Sequence, residues 1–88
     1  MKEVYPMTTL WIDADHYKTA RELHAALKML LGLPDYYGMN ADALHDCLSE
    51  RSEPVRLWIA SPGEGEVSRS LAGICAVVED LGGEIVEI

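Results

Sequence analysis

The run Val55-Arg56-Leu57-Trp58-Ile59-Ala60 constrains this chain more than any other segment. It is nearly continuous in apolar and β-branched side chains, the pattern expected of a strand buried on both faces. Helical patterns flank it on both sides, so it must lie within a sheet whose strands are joined by crossover helices. Thr8-Thr9-Leu10-Trp11-Ile12 is a second short strand by its β-branched and aromatic content, and Glu84 to Ile88 is a third. Trp11 and Trp58, standing in strands, are expected in the core.

The helical segments carry their own boundary signals. Thr19 with Glu22 three residues on forms a capping box, and Leu23, Leu27, Leu30 and Leu31 follow at helical spacing before Gly32 and Pro34 stop the helix. Asn40 is a good N-cap for a shorter helix through about Glu50, with Leu44, Cys47 and Leu48 directed inward. Gly and Pro make 61–65 a loop. A third helix runs from about Val67 to Leu81 with Val67, Leu71, Ile74, Cys75 and Val78 as its core face, and Gly82-Gly83 ends it. The order β, α, α, β, α, β predicts an α/β fold, a small three-stranded parallel sheet packed with three to four helices. At 88 residues, with no repeat and no linker, 1–88 reads as a single domain.

Fifteen acidic side chains against seven basic ones leave a formal charge of −8. Such a field repels nucleic acid and anionic membranes and attracts basic partners. Two cysteines are too few for a disulfide scaffold. Met1 to Thr9 has no apolar leader pattern, and no stretch approaches the ~20 apolar residues of a membrane span. A cytoplasmic location with reduced thiols is expected, and Met1 is read as a true start.

The most informative segment is 33–48. Asp42 and Asp46 stand four apart, so a helix sets both carboxylates on one face at a cost of a few tenths of a kcal/mol. Asp42, in the first turn, regains something from the helix dipole, and Arg51 is the nearby cation. By charge and spacing alone these residues are accounted for by a solvated acidic face. Tyr36, Tyr37 and His45 beside them, with Gly38 allowing close backbone approach, are instead the composition of a protein-binding hot spot. One of the two tyrosines is expected to pack inward. His45 can also be read as an exposed residue without a role.

Leu33-Pro34-Asp35-Tyr36-Tyr37-Gly38, then Asn40, then Asp42-Ala43-Leu44 and Asp46-Cys47-Leu48 resemble the signature of the barstar family, intracellular inhibitors of barnase-type microbial ribonucleases. The likeness continues upstream through Glu22-Leu23-His24 and Leu27, is strong from Arg21 to Leu48, and is loose elsewhere. It implies that a loop and an acidic helix plug a ribonuclease active site by mimicking phosphates. Tyr36, Gly38 and Asn40 would contact the enzyme from the loop, with Ala41, Ala43 and His45 lining the same surface. Asp42 and Asp46 would meet its cations, Asp46 as the central anchor. His45 stands where the family prototype has tryptophan, and Val77 stands at about the position of a later acidic contact. His24 coincides with a family histidine and is read as structural; Cys75 is read as a core residue.

The resulting expectation is a non-enzymatic, one-to-one inhibitor of a basic, secreted, guanyl-preferring ribonuclease, monomeric when free and without metal or cofactor. A barstar-fold adaptor for a different basic protein is the alternative, carried by His45 and Val77. A metal-dependent hydrolase is a third reading, with Asp13, Asp15, His16 and the His45-Asp46 pair as ligands. Asp-x-Asp and His-Asp are weak signals in so acidic a chain, and no phosphate-binding glycine loop or nucleophile motif accompanies them.

Overall fold

The computed structural model describes residues 8–51 and 53–88; the reading of the first seven residues as free of a leader lies outside this range. The strands are β1 (Thr8–Asp13), β2 (Val55–Ser61) and β3 (Glu84–Glu87), and the helices are α1 (Ala20–Leu31), α2 (Ala41–Ser49) and α3 (Gly65–Asp80). A single 3-10 turn, Ala14–His16, follows β1. The sheet is parallel throughout in the order β1-β2-β3, with Leu10 opposite Leu57 and Leu57 opposite Ile85.

Local chemistry explains the helix ends. Thr19 accepts from the Glu22 backbone N–H at the start of α1, and Gly32, in the left-handed region at φ 62°, closes it. The Glu22 carboxylate accepts from the Lys18 N–H at 2.9 Å, one residue before the cap that a capping box would satisfy. Asn40 caps α2, accepting from Ala43 N–H at 2.8 Å. α3 begins at Gly65, two residues earlier than its apolar pattern indicates, without a side-chain cap.

One core joins the layers. Leu10, Ile12, Leu57 and Ile59 on the sheet meet Leu23 and Leu27 of α1, Leu44 and Leu48 of α2, and Leu71 and Ile74 of α3. Val77 is also buried. Cys47 and Cys75 are only half-buried against this core, and Leu30 of α1 points to solvent.

All three helices lie on one face of the sheet, which corrects the two-faced burial expected of Val55–Ala60. Successive strands advance in one direction, β1 to β2 to β3, and right-handed crossovers then land on the same side. β2 therefore alternates: Val55, Leu57 and Ile59 face the helices while Arg56 and Trp58 face away. Trp11 and Trp58 are correspondingly 59% and 38% exposed, not in the core. Their rings pack against each other on the open face with centroids 6.3 Å apart. Among the described residues, no helix is long and apolar enough to cross a membrane.

Candidate functional site

The segment 33–48 is built as a rigid projection. Leu33 is buried, and Tyr37 turns inward while Tyr36 is 82% exposed, the division expected of the tyrosine pair. The Tyr37 hydroxyl lies 2.6 Å from His24 Nδ1 and 3.4 Å from the Asn40 carbonyl oxygen. His24 Nε2 is in turn 3.1 Å from Ser70 Oγ. A consistent assignment has Ser70 donating to Nε2, Nδ1–H donating to Tyr37, and Tyr37 donating to Asn40. This buried chain ties α3 and α1 to the first turn of α2, so His24 is structural as its position implies. Burial lowers the His24 pKa below its ordinary 6.5. Burial first, and then the neighbouring Cys47, pushes Tyr37 up to about 12.

The loop backbone carries local strain at Met39, the one non-glycine residue with positive φ (57°) among the described residues. Gly38 sits where a side chain would be crowded. A Cβ there would come within 3.3 Å of the Ala43 Cβ and 3.4 Å of Asn40 Nδ2. Asn40 Nδ2 donates to the Gly38 carbonyl at 3.1 Å, so one side chain fastens both the loop and the helix start.

On α2, Leu44 and Leu48 anchor the helix inward, which leaves Asp42 and Asp46 exposed outward. Among the described residues neither carboxylate has a hydrogen-bond or ion-pair partner closer than solvent. Arg51 does not neutralise them: its guanidinium turns inward, donating to the Leu31 carbonyl at 3.0 Å and to Thr8 Oγ1 at 3.4 Å. Lys28 pairs with Asp35 at 3.9 Å instead. Burial first, and then Glu50 and Asp46, push the Cys47 thiol up from its ordinary value.

His45 has a partner that the sequence did not reveal. Its Nε2 is 2.9 Å from Asp80 Oδ2, near the end of α3. Asp80 therefore carries the acidic surface from α2 onto α3, while Val77, one turn earlier, is buried. Tyr36, Gly38, Asn40, Ala41, Asp42, Ala43, His45 and Asp46 are thus all on the loop and α2, with Tyr36, Gly38, Asn40, Asp42 and Asp46 exposed and Ala41, Ala43 and His45 partly buried between them. The 610 Å³ hollow between α3 and the ends of β2 and β3 is lined by Leu71, Cys75, Ile85 and their neighbours, away from these residues.

Of the groups considered for a metal, Asp13, His16 and His45 are paired within the protein. Asp13 accepts from Asp15 N–H at 3.2 Å and lies 3.4 Å from His16 Nε2, which caps the 3-10 turn. Among the described residues no three His, Cys, Asp or Glu side chains converge to hold an ion.

Comparison with known proteins agrees with the architecture. The chain is 46% identical over 43 residues to a Bacillus subtilis (strain 168) protein named "Putative ribonuclease inhibitor YrdF", a match covering 49% of this chain and 47% of that protein. The chain thus spans about half the length of this curated relative. A family model described as Barstar (barnase inhibitor) matches residues 7–82, all but the ends of the chain, and the chain belongs to the barstar family.

Proposed function

We propose that this chain inhibits a small, basic, secreted microbial ribonuclease of guanyl preference, one-to-one, by seating loop 33–40 and α2 in its active site. The observation that carries the reading is a pair of exposed carboxylates, Asp42 and Asp46, left without partners among the described residues on a helix fixed by its cap, its leucines and the Tyr37 anchor. An enzyme that binds RNA presents cations where phosphates sit, and two carboxylates four residues apart offer matching charges. Inhibition is occlusion without chemistry. Tyr36 supplies an exposed aromatic surface beside those charges, and Gly38 and Asn40 present backbone. The acidic field steers a basic enzyme toward the helix and keeps RNA away. The inhibitor acts inside the cell that makes the nuclease, before export.

The test is titration of a guanyl-preferring microbial ribonuclease with the protein and with Asp46→Ala. Stoichiometric, salt-sensitive inhibition that the variant weakens by orders of magnitude supports the reading. Equal inhibition by the two proteins overturns the role of Asp46. Absence of inhibition across several such enzymes favours an adaptor for another basic protein, a reading that His45 in its pair with Asp80 also fits.

A further inference from the structure

The open face of the sheet is a second surface, on the opposite side from the helix layer. Thr9, Arg56 and Glu84 form one row across it, and Trp11, Trp58 and Val86 the next. Ile88, 65% exposed, stands beyond Val86. Parallel sheets occur almost only with both faces covered, because their crossovers normally supply helices to each side. Here the strand order sends both crossovers to one side, so the described residues leave one face of the parallel sheet uncovered. We propose that a second copy of this chain covers that face, in a two-fold dimer packed sheet to sheet.

Three features favour a second copy. The face is nearly neutral although the protein carries −8, so its excess charge lies elsewhere and does not sit in the contact. Its two strand-borne charges are self-complementary. Arg56 and Glu84 are register partners 2.8 Å apart, and an axis along the strands between β2 and β3 sets Arg56 of each copy over the partner's Glu84. The same operation sets Trp58 over the partner's Val86. The area fits a weak contact: this axis stacks β2 and β3 of the two copies and leaves Trp11 at the rim, so Trp58, Val86, Ile88 and the polar row give somewhat less than the roughly 600 Å² per copy at the lower limit of a specific interface. A reversible dimer follows, not an obligate one. α2 and its loop lie across the molecule, so each copy keeps a free inhibitory surface, and the expectation of a free monomer gives way to a concentration-dependent equilibrium.

Trp11 and Trp58 are the chain's two tryptophans, so its fluorescence reports this face alone. Sedimentation with reductant present is expected to show mass rising from one copy toward two between ~1 µM and ~1 mM, a range set by the small area. Tryptophan emission should move to shorter wavelength over the same interval. Arg56→Glu should weaken the dimer at least about tenfold, and Arg56→Glu with Glu84→Arg should restore it. Trp58→Thr, which keeps a strand-forming residue at an outward position, should abolish it and leave any ribonuclease inhibition unchanged. One-copy mass at ~1 mM with unchanging, long-wavelength emission overturns the proposal. So does a dimer indifferent to both Arg56→Glu and Trp58→Thr, since it would use another face.

Discussion

The Tyr37 hydroxyl and His24 Nδ1 approach to 2.6 Å inside the protein, and through them the loop before α2 is held by α1. Tyr37→Phe removes the hydroxyl and leaves the buried imidazole nitrogen unpaired, at a cost of about 1–3 kcal/mol. Urea unfolding measures this directly. The same bond predicts a pH dependence. Burial lowers the folded pKa of His24, so the unfolded chain takes up the proton first. The stability contributed by neutral His24 is therefore complete above about pH 6.5 and declines as the pH falls below it. The urea midpoint of the wild type should drop between about pH 7 and 5, and His24→Gln should flatten that slope.

Asn40 fastens loop and helix together, and its loss should be felt by a partner. Asn40→Ala is expected to cost about 1 kcal/mol of stability and to weaken ribonuclease binding as well. Gly32→Ala is the control, because it strains a left-handed position by a similar ~1–2 kcal/mol at the end of α1. Calorimetric melting and inhibition titration of both variants separate the effects: stability falls in each, affinity in Asn40→Ala alone. Equal affinity loss would mean that global stability, not the cap, controls binding.

Asp46 is expected to oppose folding slightly while serving recognition. Asp46→Asn relieves the repulsion from Asp42, so the free protein should gain a few tenths of a kcal/mol. Binding should weaken by about 2–5 kcal/mol, a range to which the barstar prototype itself contributes. Association should also slow as salt rises, since the attraction of a −8 protein to a basic enzyme is screened. Stopped-flow association at several ionic strengths checks this.

The His45–Asp80 pair is exposed, so its contribution to stability is small. A double-mutant cycle with His45→Ala and Asp80→Ala should return a coupling of no more than about 1 kcal/mol in the free protein. A larger coupling in the complex would show that a partner desolvates the pair.

The elements readable in the sequence are those defined by neighbours along the chain. Thr19, Asn40 and Gly32 mark helix ends through bonds to residues a few positions away, and leucines at helical spacing mark the inward faces. Asp42 and Asp46 were recognisable because helical geometry alone puts them together. Legibility stops where a distant element decides the outcome. Trp11 and Trp58 look like core residues until both crossovers are known to land on the other face. Asp80 meets His45 only because α2 packs on α3, and nothing local marks that pair. The positive φ falls on Met39 and not on the adjacent Gly38, where a side chain would crowd Ala43 and Asn40, and nothing local in the sequence marks either fact.

The register of the sheet also orders events in time. Arg56 pairs with Glu84 across α3 alone, whereas Thr8 pairs with Val55 only after both α1 and α2 have been spanned. Closing the shorter stretch loses less chain entropy and demands fewer prior contacts. The C-terminal strand–helix–strand unit should therefore nucleate the sheet, with β1 adding last. α2 and its loop lie within the segment that this last closure encloses, so the acidic surface becomes rigid only near the end of folding. A newly made chain would acquire the surface proposed to bind a nuclease abruptly, on docking of its first strand.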